Sequence, residues 1–352
     1  MPPGQYASSI ASVREQIARI PRYSLGHFPT PLEKLTKLSS VLGGPTIWIK
    51  RDDCTGLALG GNKTRHNEFL IGDALAKGCD IVVWGAGVQS NNCRQTAAAC
   101  AKAGLDCHLM LSRGNDPTDP IPVQGNLLLD HLLGAVIEIV PDKLGLELDR
   151  RMAKQAEVYA AQGRKPYVWS PPIVKPLAAL SYVLCILEIV EQSAEAGFQP
   201  DAIYLSSAGS TGAGAALGKA LLQHPAVVRN IAPLKWPWDT QADLAKVANR
   251  TAELLDLDTR LTRDEIDINF DFIAPGYGQV SPAGLEALAL LARCEGILTD
   301  PIYTAKALAG LISDIRAGRI PPEKNVVFIH TGGTPALFAY NEALVQGIAA
   351  RT

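Results

Sequence analysis

Between residues 81 and 111 the chain runs Ile81-Val82-Val83-Trp84, then Gly85-Ala86-Gly87-Val88-Gln89-Ser90-Asn91-Asn92-Cys93-Arg94-Gln95, then an alanine-rich run to Gly104, then Cys107 to Leu111. The first and last pieces are short, apolar and without clean alternation, the pattern of strands covered on both faces. The middle piece predicts a helix from about Asn91, closed by Gly104. Strand, loop, helix, strand is the repeat unit of a parallel sheet, because parallel neighbours need a crossover that returns the chain to the same edge.

The alternation extends outward in both directions. Thr46 to Ile49, Val136 to Val140, Ala202 to Leu205 and Val326 to His330 predict further buried strands. One helix follows Asn62 and stops at Gly78, with Phe69, Leu70 and Leu75 on its apolar stripe. Another follows the glycines near position 212. Two more start at Thr334-Pro335 and Asp300-Pro301, an N-cap followed by proline at the first helical position, the latter ending near Gly318. Leu177 to Leu187, the longest apolar stretch, is too short to span a bilayer and predicts a buried helix. The segment from about Lys165 to Pro176, with its four prolines, reads as a crossing between lobes. The fold class is α/β, with open, mostly parallel sheets covered by helices on both faces in three αβα layers. Ligands in such sheets sit beyond the carboxyl ends of the strands.

The bulk properties narrow the function. The 352 residues suit one large or two medium domains, and 47% hydrophobic with 19% charged residues is an ordinary globular balance. A formal net charge of −2 gives no basic field for nucleic acid or an anionic membrane. The first residues carry no cationic stretch followed by an apolar run, so no signal peptide is expected. Seven scattered cysteines without a C-x-x-C predict small buried side chains in a reducing compartment, not disulfides or a metal site. The expectation is a soluble cytoplasmic protein.

Small polar residues and glycine gather at four strand-to-helix junctions. Gly60-Gly61-Asn62-Lys63-Thr64-Arg65 puts a lysine at a helix start, where the positive end of the helix disfavours a cation and promotes the neutral amine that condenses with aldehydes. A solvated lysine behind an ordinary turn reads the same way. Gly85 to Gln95 offers glycines, hydroxyls and amides at a helix N-terminus, a nest for a carboxylate or simply a capped helix. Ser206-Ser207-Ala208-Gly209-Ser210-Thr211-Gly212 follows a strand directly and suits a phosphate, although no Gly-Lys-Ser/Thr ends it. His330-Thr331-Gly332-Gly333-Thr334-Pro335 offers a threonine hydroxyl to a heteroaromatic nitrogen, or a plain capped turn. Tyr277 after Pro275-Gly276, and Tyr303 within Thr299-Asp300-Pro301-Ile302-Tyr303-Thr304, are candidate acids, bases or hydrogen-bond donors, or loop-edge packing.

Taken in order, these pieces resemble one family. Ile49-Lys50-Arg51-Asp52-Asp53 leading to Gly60-Gly61-Asn62-Lys63, then Gln89-Ser90-Asn91 with Arg94-Gln95, then Glu295-Gly296 with Thr299-Asp300-Pro301 and Tyr303, resemble the D-cysteine desulfhydrase and 1-aminocyclopropane-1-carboxylate deaminase group of pyridoxal-phosphate enzymes. The resemblance runs from about Phe28 to Tyr340. It implies the tryptophan-synthase-β-like (fold type II) architecture, with residues 1–62 and 176–352 as a large cofactor-binding domain and 63–175 as a small one. It implies pyridoxal 5'-phosphate as cofactor, no metal, an amino acid substrate and a homodimer. Lys63 is then the Schiff-base lysine that also moves the α-proton. Ser90, Asn91 and Asn92 fall where the substrate carboxylate binds, with Asn91 also touching the cofactor's phenolic oxygen. Ala208, Gly209, Ser210 and Thr211 match the phosphate turn. Tyr277 and Tyr303 match the two active-site tyrosines, and Thr304 and Thr331 match positions near the pyridine nitrogen.

The ring-opening deaminases resembled here carry an acidic residue at the position of Thr304 and a leucine at that of Thr331; desulfhydrase-type members carry hydroxyls at both. A neutral hydroxyl makes the ring a weaker electron sink, which suffices when a good β-leaving group departs. The expectation is therefore α,β-elimination from D-cysteine or L-cysteate to pyruvate, ammonia and sulfide or sulfite; the cysteate sulfo-lyase branch is resembled at Asp52 to Gly60. 1-Aminocyclopropane-1-carboxylate deamination, and β-replacement on a larger substrate, are the alternatives. Some positions depart from the pattern. His66-Asn67 replaces the usual lysine-leucine, Asn92 the usual histidine, Pro171 to Pro176 a glycine-rich turn, and Ala305 a glycine. The phosphate turn lacks the usual glycine pair.

Overall fold

The computed structural model describes residues 5–114, 120–142, 147–168 and 170–349. Among them are strands β1 (Leu32–Lys34), β2 (Thr46–Lys50), β3 (Ile81–Gly87), β4 (Asp106–Ser112), β5 (Val136–Val140), β6 (Pro166–Val168), β7 (Ala202–Ser206), β8 (Val227–Ile231), β9 (Asp267–Asn269) and β10 (Asn325–Ile329). The helices are α1 (Ala7–Ile17), α2 (Thr36–Leu42), α3 (Asn62–Ala76), α4 (Asn91–Ala103), α5 (Gly125–Leu132), α6 (Leu148–Ala161), α7 (Pro171–Glu195), α8 (Ser210–Leu221), α9 (Thr240–Glu253), α10 (Pro282–Glu295), α11 (Thr304–Arg316) and α12 (Asn341–Ala349).

The strands form two sheets, ordered β1-β2-β10-β7-β8-β9 and β5-β4-β3-β6. Every pairing is parallel except β1 with β2 at the edge of the larger sheet. Ile81 to Trp84, Ile203 to Ser206 and Val326 to Ile329 are buried throughout, the consequence of helices covering both faces. The fold is thus the mixed α/β arrangement of mostly parallel sheets that the strand–helix alternation predicts.

Helix α7 lies at the centre of the main core, where Leu180, Tyr182, Val183, Ile186 and Leu187 pack with residues of α3, α8 and α9. Each such fully buried side chain contributes about 1.5–3 kcal/mol. Over α7 an 18-residue window is apolar enough to cross a membrane, yet 83% of it is buried inside the fold, as in a core helix.

Several elements differ from expectation for local physical reasons. The 165–176 segment is not only a crossing: β6 pairs with β3, and α7 begins at Pro171-Pro172, where absent N–H groups cost nothing; Trp169 lies outside the described residues. Asp300 does not start a helix directly. Its carboxylate accepts the backbone N–H groups of Ile302, Tyr303 and Thr304, and α11 begins at Thr304. Thr334-Pro335 opens a short 3₁₀ segment, Thr334–Ala339, and not an α-helix. Leu75, expected on the apolar stripe of α3, is 36% exposed.

Within the larger sheet the chain order reverses between β10 and β7, the kind of switch point beyond whose carboxyl ends ligands bind in parallel sheets. The loops after β2, β3, β7 and β10 carry the four junctions singled out above.

Candidate active site

The turn before α3 is built on two glycines. Gly60 has φ +70° and Gly61 φ +128°, and a Cβ at residue 60 would run into the Asp53 carbonyl. The tightness lets Gly61 N–H donate to Asp52 O (3.0 Å) and to Thr55 Oγ1 (2.8 Å), while Asn62 N–H donates to Thr331 O (3.0 Å). The β2 and β10 junctions are thereby held backbone to backbone. Lys63 follows at the second position of α3. Burial pushes its ammonium down to about 8, so a substantial neutral fraction exists near neutral pH.

Ser90 caps α4, its Oγ accepting from Asn92 N–H (3.1 Å) and Cys93 N–H (3.2 Å). Those bonds use its lone pairs and leave its proton for a ligand. A chain of amides orients Asn91. Arg94 Nη1 donates to Asn126 Oδ1 (3.0 Å), so Asn126 Nδ2 donates to Asn91 Oδ1 (2.9 Å) and Gln89 O (2.9 Å). Asn91 Nδ2, which lies beside Gly333, is left as a donor. Arg94 Nη2 also donates to Gly60 O (2.6 Å), tying α4 to the lysine turn. Asn92 turns back within its helix, its Oδ1 3.4 Å from Thr96 Oγ1.

After β7, Ser207 Oγ accepts from Gly209 N–H (3.2 Å) and Gly212 N–H (2.8 Å) and shapes the turn into α8. Gly209, the N-cap residue of α8, has no side chain to cap the helix, Ser207 Oγ takes the Gly212 N–H of its first turn, and a Cβ at Gly209 would meet nothing within 4 Å. A helix N-terminus that begins on a glycine, with open space beside it and hydroxyls at Ser210 and Thr211, suits a phosphate dianion. The Ala208 carbonyl accepts from Trp236 Nε1 (3.0 Å). Thr211 Oγ1 accepts from Asn62 Nδ2 (3.0 Å) and lies 3.1 Å from His66 Nε2; His66 Nδ1 lies 3.4 Å from Lys63 Nζ. The lysine and the phosphate turn therefore share one hydrogen-bonded group.

Thr304 Oγ1 donates to Gly332 O (3.0 Å) and lies 3.2 Å from Thr331 Oγ1; both threonines are buried. His330 fixes this turn, its Nδ1 accepting from Gly332 N–H (3.1 Å) while Nε2 donates to Leu298 O (2.9 Å). The hydroxyls of Tyr277 and Tyr303 hydrogen-bond to each other. Desolvation where the two rings meet pushes both phenols above their usual value, although the Tyr277 ring itself is 48% exposed, so both are protonated at neutral pH and available as donors. Lys306, fully buried, donates from Nζ to Ile273 O (2.8 Å) and Gly276 O (2.9 Å), anchoring the loop that carries Tyr277.

Contacts thus link the loops after β2, β3, β7 and β10 into one cluster that contains Lys63, Ser90, Asn91, Thr211, Thr304 and Thr331. Tyr277 pairs with Tyr303 at the start of α11. Sequence reasoning missed Asn126, His66 and Lys306 as parts of this arrangement. His66 stood out as a departure from pattern; the other two gave no local signal.

The donor set fits pyridoxal phosphate: a partly neutral amine for its aldehyde, a helix start with open space beside it for its phosphate, an amide donor for its phenolic oxygen and hydroxyls for its ring nitrogen. The comparisons agree. A family model described as "Pyridoxal-phosphate dependent enzyme" matches residues 23–332. The chain is 38% identical over 336 residues to 1-aminocyclopropane-1-carboxylate deaminase of Burkholderia ambifaria, covering 94% of this chain and 99% of that protein. The proteins of that name from Burkholderia vietnamiensis and Burkholderia cenocepacia match at the same identity and coverage. The crystal structure of an ACC deaminase homologue superposes with TM-score 0.86 at 33% identity, over 96% of this chain and 99% of that one. Diaminopropionate ammonia lyase of Escherichia coli shares the fold, at TM-score 0.65 and 16% identity over 97% of this chain and 91% of that one. The chain belongs to the pyridoxal-phosphate dependent enzyme family, with the fold type II architecture and lyase or deaminase chemistry.

Proposed function

We propose that the chain deaminates a small α-amino acid to a 2-oxo acid and ammonia, with 1-aminocyclopropane-1-carboxylate as the first substrate to test. The observation that carries the deaminase reading is the amine of Lys63, lowered to about 8 and joined through His66 to the α8 turn. Relatives named 1-aminocyclopropane-1-carboxylate deaminase along nearly their whole length support the substrate. They favour this reading over the elimination from D-cysteine or L-cysteate that the sequence suggested.

When bound, pyridoxal phosphate supplies an electron sink for the substrate's α-carbon. Lys63 holds the cofactor, and its neutral amine accepts and returns protons. Ser90 O–H and the N-terminus of α4 receive the substrate carboxylate. The Tyr277–Tyr303 pair shares one hydrogen bond, which leaves one phenolic proton for the departing carbon or group. The cyclopropane substrate has no α-proton, so ring opening ends with a ring methylene protonated; with one water consumed, the products are 2-oxobutyrate and ammonia.

Two consequences follow from the side chains. The rate at which cofactor-free protein captures pyridoxal phosphate is expected to rise with pH and level off above about 8, as Lys63 loses its proton; stopped-flow absorbance measures it. Lys306→Met removes both donors to the Tyr277 loop. It is expected to lower kcat/KM by about tenfold, the worth of a charged hydrogen bond, while Lys306→Arg recovers part of the loss; steady-state kinetics checks both.

A second reading rests on Thr304 and Thr331. Their hydroxyls contact each other, and the nearby Asp300 carboxylate is taken up by backbone N–H groups. A neutral partner for the ring nitrogen favours β-elimination, in which a good leaving group departs as the α-proton is lost. One assay separates the readings. Release of 2-oxobutyrate from 1-aminocyclopropane-1-carboxylate supports the first. Pyruvate from D-cysteine, L-cysteate or β-chloroalanine alone supports the second. No 2-oxo acid from any of them, with the cofactor bound, would sink both.

A further inference from the structure

Residue 66 is where the lysine helix departs from the family pattern, and the structure gives the histidine there two partners. It stands one helical turn after Lys63 on α3 and is 5% exposed. Nδ1 lies 3.4 Å from Lys63 Nζ, and Nε2 lies 3.1 Å from Thr211 Oγ1. Its ring stands edge-on to Tyr182 at 5.8 Å and 85°, which fixes the plane. Burial, with Lys63 and Arg65 nearby, holds the imidazole well below its usual value, so the ring is neutral. A neutral imidazole has one donor and one acceptor nitrogen, whereas an ammonium only donates. When Lys63 carries its extra proton, Nδ1 must accept from it. Nε2–H then donates to Thr211, whose hydroxyl also accepts from Asn62 Nδ2 (3.0 Å).

Turnover requires this geometry to matter. With pyridoxal phosphate bound, Lys63 would be its covalent anchor and would have to be released and recaptured once in each cycle. In between, a long side chain with about 2 kcal/mol of rotamer entropy is free to leave the reacting carbon. We propose that His66 is a positioning residue that receives the Lys63 amine each time the cofactor is handed to substrate, holding it on Nδ1 within reach of its return. A lysine at position 66 could not do this, because it has no acceptor and would repel an ammonium. The proposal rests on Lys63 being the cofactor lysine.

The test uses the cofactor-loaded chain and 2-aminoisobutyrate, which has neither an α-proton nor a leaving group and therefore only exchanges with Lys63. Absorbance of the bound cofactor follows the exchange, and dilution follows the return of Lys63. In His66→Leu the return is expected to slow by at least about tenfold, the worth of one hydrogen bond to a charged group. His66→Asn, whose amide oxygen falls near the Nδ1 position, is expected to recover most of the rate; His66→Gln, which reaches toward Thr211, is not. In steady state the loss is expected in kcat with KM little changed. A wild-type return rate in His66→Leu, or recovery by His66→Gln and not by His66→Asn, would overturn the proposal. Borohydride reduction separates the assumptions: if the wild-type chain does not fix cofactor mass on Lys63, the lysine assignment falls and this proposal with it; if it does, an unchanged return rate overturns the role of His66 alone.

Discussion

Replacing Lys63 by alanine is expected to lower turnover by at least about 10⁴-fold, because one side chain supplies both the covalent hold on the cofactor and a proton-transfer group, each a large term by itself. The expected loss is chemical and not structural. Among the described residues Lys63 makes no ion pair within 4.0 Å, and the one hydrogen-bond partner of its amine is His66 Nδ1 at 3.4 Å. Burial lowers its ammonium to about 8 from 10.5, so the charge is disfavoured in the folded chain. The sign follows from linkage. A lysine whose folded value lies below its unfolded one opposes folding; the penalty is full below about 8 and fades as pH rises toward 10.5. Lys63→Ala should therefore melt at the same or a slightly higher temperature than the parent chain at neutral pH, while 2-oxo acid release disappears and borohydride no longer fixes cofactor mass on the 62–76 peptide. Retention of more than about 1% of activity would remove Lys63 from the chemistry, given the roughly 10²–10⁴-fold worth of one positioned proton-transfer group. A stabilised but inactive variant is the trade expected where a site keeps a group at odds with its surroundings.

How much of this was legible in the sequence depends on how local each feature is. The Ser90 cap of α4 and the Gly60-Gly61 turn are written in adjacent residues, and the structure has each where the letters place it, whereas α8 starts at Ser210 and takes in the glycines it was expected to follow. Strands β1, β6 and β9 have three residues each, too few for a periodic signal. Strand β8 is broken in pattern by Arg229 and Asn230, whose side chains bind Asp267. The start of α11 moved because Asp300 spends its carboxylate on a turn before the helix. Within the site, the contacts that orient the candidate residues join distant positions: His66 with Thr211, Asn126 with Asn91, Lys306 with Gly276. No spacing rule in one chain links such pairs; only the meeting of the first turns of α3 and α8, or of α11 with the 273–276 loop, brings them together. Thr304 and Thr331 show the intermediate case. Their hydroxyl chemistry was legible and their mutual contact was not.

The other large effect is expected at Arg65, two residues from Lys63 on the same helix. Its guanidinium is buried between two carboxylates: Nε and Nη2 donate to Asp52 (both 2.9 Å), and Nη1 and Nη2 donate to Glu188 (2.8 and 2.7 Å). Lys50 Nζ pairs with Glu188 Oε2 (2.8 Å), Tyr182 O–H donates to Asp52 Oδ2 (2.6 Å), and the Phe28 ring lies 4.4 Å below the guanidinium. Two cations and two anions balance. Arg65→Leu leaves one buried negative charge without its partner, a class of change that costs about 3–5 kcal/mol, and urea denaturation should show it. Arg65→Lys should recover only part, because an ammonium cannot serve two carboxylates in the bidentate geometry of a guanidinium. The pH response follows from the same contacts. Burial pushes the Asp52 and Glu188 carboxyls up, and the Arg65 charge and hydrogen bonds, aided by Lys50, more than reverse it, so both lie below their ordinary values. Groups lowered on folding stabilise the native state above their unfolded values of 3.8 and 4.5, and that contribution is lost as pH falls through the lowered ones. Without Arg65 burial dominates, the carboxyls protonate earlier, and acid unfolding should begin at higher pH than in the parent chain. An unchanged acid midpoint would mean that α3 does not depend on this network to hold Lys63 against β2 and α7. A raised midpoint with early loss of bound cofactor would place the anchoring of the lysine helix in four buried charges behind the site.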